Sequence, residues 1–158
     1  MRESTNLAAG VLAAVFAICA LSALSPPGHS VGSPEGSWAC TLSGAQALPP
    51  NSSLATGQCE IHLRGDRIHV TLSWRGLSGP AMRVAFHGPA DTNEEGPLLW
   101  SLVPGTQGRQ TLSPVEGEFE IDHTQGDLLR DGRVYVDIRT GTFPRGEIRG
   151  QIVRRAED

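Results

Sequence analysis

The sequence predicts an all-β fold of about eight short antiparallel strands, on three observations. Glycine and proline are frequent, 19 and 11 in 158 residues, and they are spread along the chain, so regular elements are interrupted often. Between them, apolar and polar residues alternate at the period of half-buried strands instead of recurring every three to four residues as in helices. Around Gly65-Asp66 two such alternations mirror each other, which is the pattern of a hairpin. Strands with one apolar face each must close by packing two sheets face to face or by curling into a barrel.

The first strand is set by Trp38, Cys40 and Leu42, which alternate with Ala39 and Thr41. A long loop, Ser43 to Ala55, follows, and Pro49 and Pro50 exclude a ladder there. In the hairpin, Cys59, Ile61 and Leu63 share a face with Ile68, Val70, Leu72 and Trp74. A two-residue turn with Gly65 first suits type II′ geometry and fixes the register: Leu63 faces Ile68, Ile61 faces Val70, Cys59 faces Leu72. A one-residue slip would turn every one of these apolar partners outward. The same register sets His62 opposite His69 on the outer face. Further strands are expected at Met82 to His87, Leu98 to Val103, Val115 to Ile121, Val134 to Arg139 and Glu147 to Val153, with a short helical turn at Gln125 to Arg130.

The net charge is -4, and the 13 basic residues, all arginine, are scattered without forming a row that could neutralise phosphates, so nucleic acid is excluded as a partner. Exclusive use of arginine hints at a GC-rich bacterial source. Residues Leu7 to Leu24 form an apolar, alanine-rich segment preceded by Arg2 and containing small residues at Ala20 and Ser22. This reads as a signal peptide over residues 1–22, cleaved after Ser22. The rival reading is an uncleaved membrane anchor, because the segment approaches a bilayer-spanning length. Ile18, directly before Cys19, does not suit lipidation. A flexible Pro/Gly/Ser-rich linker over 23–36, one domain over 37–154 and a tail over 155–158 complete the expected layout. Cys40 and Cys59 lie on the apolar faces of their strands, and an exported compartment favours a disulfide between them.

Three segments resemble the CHRD (chordin-type) domain family. Trp38 to Thr56 (WACTLSGAQALPPNSSLAT) is similar to the family's opening strand and Gly-Ala-Gln-x-x-Pro-Pro loop. Leu77 to Ala90 (LSGPAMRVAFHGPA) resembles its Leu-Ser-Gly and His-x-His-Gly-Pro-Ala segments, here including His87, Gly88 and Pro89. Gly132 to Ile152 resembles the closing pattern, whose most specific string comprises Gly146, Glu147, Arg149, Gly150 and Gln151. The resemblance implies an extracellular, Greek-key-like and immunoglobulin-like β-sandwich, loosely similar to copper/zinc superoxide dismutase, and no defined activity. Fold kinship cannot supply chemistry.

At the histidine positions the chain departs from the family pattern. Ala85, Phe86 and His87 stand in place of His-x-His, and Arg139 in place of a histidine before Thr140. A copper or zinc site needs three or four N, O or S ligands, and arginine cannot serve. His87 therefore reads as structural or surface, and His62 and His69 are the other histidines weighed as metal ligands, so no cofactor is expected. Glu116, Glu118 and Glu120 line one solvated strand face, whereas Asp91, Glu94 and Glu95 lie in a loop that could curl around a cation. Glu147 and Arg149 read as an ion pair bracing the sheet, with Arg139 the candidate third member. Arg64-Gly65-Asp66 at the hairpin tip offers an integrin-type adhesion reading, though turn chemistry alone explains Gly-Asp. No nucleophile elbow, phosphate loop or zinc-type spacing is present. The sequence thus points to an exported, non-catalytic module that binds an unknown protein or surface ligand or serves a structural role. A dismutase-type metal-dependent redox enzyme is the alternative, and membrane contact arises only if the N-terminal segment stays uncleaved.

Overall fold

The computed structural model describes residues 35–103 and 112–156; the expected signal segment, Cys19 and most of the expected linker lie outside them. Nine strands are described: β1 (Glu35–Ser43), β2 (Thr56–Arg64), β3 (Arg67–Arg75), β4 (Arg83–His87), β5 (Leu98–Val103), β6 (Val115–Glu120), β7 (Tyr135–Arg139), β8 (Ile148–Gln151) and β9 (Val153–Arg154). One α-helix, α1 (His123–Arg130), is described, preceding β7. Helix α1 starts two residues before the expected turn because Asp122 caps it. The Asp122 carboxylate accepts from Gln125 N at 2.8 Å, and the Gln125 side chain accepts from Asp122 N at 3.0 Å.

All pairings are antiparallel, in the order β5-β4-β7-β8-β1-β2-β3-β6, with β9 also on β1. The sheet is continuous, so of the two expected closures the strands take the barrel-like one. Strand β1 makes it so, pairing with β2 along its whole length and with β8 and β9 on its other edge. The two ends of the sheet approach each other through side chains: Trp100 on β5 lies 6.4 Å from Phe119 on β6. The result is a nearly closed, barrel-like sheet. Non-consecutive β3 and β6, and β4 and β7, lie side by side as in a Greek key.

The hairpin register is the expected one at every position, including Cys59 opposite Leu72 and His62 opposite His69, and Gly65 takes the positive φ of 65° that its turn requires. Inside the barrel Trp38, Leu42, Ile61, Ile68, Leu72, Phe86, Ile138, Ile148 and Ile152 form one apolar core. Glu35 and Gly36 already belong to β1, paired with Arg64 and Leu63. Arg155 is tied back, its N–H donating to Ser37 O at 2.9 Å and its guanidinium to Glu60 at 3.1 Å.

Cys40 sits directly opposite Cys59 in the β1–β2 ladder, and both are buried free thiols. A hydrogen bond with Cys40, then burial, raises the Cys59 thiol well above its ordinary range. The β1–β8 seam needs a glycine: a Cβ on Gly150 would lie 2.5 Å from Thr41 O and 3.0 Å from Cys40 Sγ. Gly150→Ala is therefore expected to cost about 1–3 kcal/mol in urea denaturation. Gly79, with nothing near its missing Cβ, provides the control, its change to alanine staying within about 0.5 kcal/mol.

Candidate functional site

Strands β4, β7 and β8 are buried on both faces, because the loops over 44–50 and 88–97 cover their outer side. A β-strand alternates, so Val84, Phe86, Val136 and Ile138 enter the core while Ala85, His87, Tyr135, Asp137 and Arg139 turn outward under those loops. This second, polar layer bounds a cleft of about 190 Å3, lined among others by His87, Glu95, Tyr135, Asp137, Arg145 and Arg149.

Arg149 holds the layer together. Its guanidinium lies 3.8 Å over the Tyr135 ring and donates to the carbonyls of Thr92 (2.6 Å), Glu94 (2.9 Å) and Asp91 (3.1 Å). On the ring's other neighbour, His87 stacks at 5.1 Å with an interplanar angle of 10°. His87 Nδ1 lies 3.1 Å from Gly96 O; a carbonyl only accepts, so this nitrogen carries the proton. Gly96 N donates to the Tyr135 hydroxyl at 3.3 Å. Burial, foremost, raises the Tyr135 phenol above its usual value and keeps it protonated. Asp137 binds Arg139 through Oδ2 at 2.9 and 3.0 Å. Gln151 Nε2 donates to Ala90 O and Gly132 O, fixing the far end of the same loop.

Glu147, fully buried, has no cation on its carboxylate among the described residues. Oε1 accepts from Ser53 Oγ and Ser78 N, each at 2.8 Å, and Oε2 from Ser78 Oγ and Thr140 Oγ1, each at 2.7 Å. Burial is the largest single influence and favours the neutral acid. The hydrogen bonds from Thr140, Ser78 and Ser53 together outweigh it and hold the carboxyl below its ordinary range.

Glu147, Arg149 and Gln151 thus tie the surrounding loops to the β8 region, Arg149 and Gln151 holding the same one. The family model for the CHRD domain matches residues 38–152. The chain belongs to the CHRD family. No curated protein and no solved structure matches it.

Within this CHRD domain several expected groupings change. Glu147 and Arg149 do not pair, and Arg139 joins neither: three hydroxyls surround the carboxylate, while the 91–94 carbonyls claim Arg149 and Asp137 claims Arg139. The acidic loop does curl around a cation, but the cation is Arg149 and its ligands are backbone carbonyls. Asp91 and Glu95 face Arg133 and Arg145 instead. His87 is buried, not at the surface, beside an aspartate that sequence reasoning missed. The available signal was the placement of Tyr135, Asp137 and Arg139 on one face of β7. On the outer face, His62 Nδ1 is 3.0 Å from Ser37 Oγ and His69 lies 3.7 Å from Glu118, so the opposed imidazoles each have another neighbour. Glu116, Glu118 and Glu120 are exposed, and Arg64 and Asp66 are exposed at the hairpin tip. Among the described residues, no group of three or more His, Cys, Asp or Glu side chains converges as a metal shell.

Glu147→Gln is expected to destabilise the fold by about 3 kcal/mol at pH 7, read by urea denaturation. The folded-state pKa is depressed, so the stabilisation is fully present above the unfolded value of about 4.3 and is lost as pH falls through the folded value. The gap between wild type and variant should therefore narrow as the pH drops below about 4. A gap that stays constant down to pH 2 would contradict a buried carboxylate.

Proposed function

We propose that the chain is an exported, non-catalytic CHRD module that binds a protein or surface ligand, or serves as a structural element, at the cell surface or outside it. The observation that supports this reading most is the use of the signature side chains. Glu147, Arg149 and Gln151 are spent on immobilising loops around a polar cleft, which yields a rigid, preorganised rim of the kind binding uses. Arg145 and Glu95, both exposed and facing each other at 3.4 Å, are the rim groups most available to a partner. A photo-crosslinking residue at Glu95, introduced in the native host, should capture one discrete species from the envelope or medium, and Arg145→Ala should reduce its yield. Uniform, unspecific labelling would count against a binding role.

Export is supported by the apolar segment Leu7 to Leu24 and by the cross-strand cysteines, which an oxidising compartment would join without moving either strand. Cross-strand neighbours have Cα separations within the range a disulfide spans. Closing the segment between Cys40 and Cys59 would add about 3 kcal/mol by the chain-entropy estimate. Protein recovered from its native compartment should begin at Ala23, and its intact mass should rise by two hydrogens on reduction. Two thiols alkylated by denaturant and iodoacetamide without reductant would refute the bridge.

A further inference from the structure

Among the described residues, two of the unpartnered atoms in the polar layer face each other. His87 Nε2 and Asp137 Oδ1 are 3.7 Å apart, in side chains 7% and 6% exposed, and neither atom has a hydrogen bond or contact with solvent. The other polar atom of each group is committed. His87 Nδ1–H donates to Gly96 O, so in the neutral ring Nε2 presents a lone pair, and Asp137 Oδ2 takes both hydrogen bonds from Arg139, so Oδ1 presents another. Opposed lone pairs in a buried site repel, and an unmet acceptor costs about 1–3 kcal/mol. A small electron-poor species between them removes both costs.

We propose that His87 and Asp137 form a two-ligand site for a divalent transition-metal ion, with its remaining coordination positions open toward the cleft. The geometry is that of ligands already oriented. Bonds of about 2.1 Å to both atoms span the 3.7 Å separation at an angle of about 120°. An imidazole whose second nitrogen donates to a backbone carbonyl, beside a carboxylate braced by a second hydrogen bond, is the outer arrangement metal ligands require. One imidazole and one carboxylate suit zinc or copper better than calcium or magnesium. The arginines on the cleft limit affinity without filling the gap: Arg139 is bonded to Asp137, Arg149 to three carbonyls, and Arg145 to Glu95. With only two protein ligands the site is weak and exchangeable, distinct from the outer-face pair His62 and His69. The proposal goes beyond the binding role and does not depend on it.

The test is titration of Zn2+, and separately Cu2+, into the full mature chain. Calorimetry gives stoichiometry, and the imidazole nitrogen NMR signals, with Zn2+, give location. One equivalent of Zn2+ should bind, with the Nε2 signal of His87 moving most. Asp137→Asn, which keeps the shape and an acceptor for Arg139, should weaken binding at least tenfold, and His62→Ala should leave it unchanged. The site is refuted if no saturable binding occurs, if only His62 and His69 respond, or if the His87 ring answers to pH and ignores both metals. Should Asp137→Asn fail to fold, the His87 signal in the wild-type chain decides alone.

Discussion

The guanidinium of Arg149 is the interaction on which the polar side of this CHRD domain depends. A buried guanidinium must find acceptors, and here its two terminal nitrogens donate to the carbonyls of Asp91, Thr92 and Glu94 in one loop. That loop then presents Gly96, which orients His87 and meets the Tyr135 hydroxyl. The guanidinium also rests on the Tyr135 ring, so strand and loop are locked by the same group. Remove it, and the loop loses its reason to lie against β7 and β8. Asp137, His87 and Arg139 would then face water as an ordinary solvated strand face.

Glu147 does comparable work without a countercharge. Four neutral donors from three segments converge on its carboxylate, so the charge is stabilised by oriented dipoles. Such a group discriminates by geometry: only the arrangement that brings Ser53, Ser78 and Thr140 together satisfies it. Asn51, donating to the carbonyls of Gly146 and Glu147, holds the long first loop in that arrangement.

The apolar half of the fold was legible in sequence and the polar half was not, for one physical reason. Register in β2 and β3 follows from a period-two pattern, inward on Ile61, Leu63, Ile68 and Val70, and from a glycine turn. These are local signals. The outer face of β4 and β7 carries Ala85, His87, Tyr135, Asp137 and Arg139, a composition suited to solvent, and becomes buried only because distant loops fold over it. Nothing in the spacing of those residues announces a covering loop. Glu147 and Arg149 illustrate the same gap: two residues apart on a strand they read as partners, yet each is claimed by groups from elsewhere in the chain. The closing string was recognisable as a family signature before its separate ties could be seen.

The seam between β1 and β8 joins the start of the domain to its end. Strands β1 and β2 are joined by one loop, but Asn51 meets Glu147 only across 96 positions of chain. Loop-closure entropy makes such distant contacts slow to form. The N-terminal three-stranded meander therefore stands with an unpaired edge until the last strand arrives, and the strand that arrives last carries the residues that order the loops. Loop ordering therefore depends on that seam: a chain without β8 and β9 leaves the β1 edge unpaired and has no Arg149 to hold the 91–94 loop.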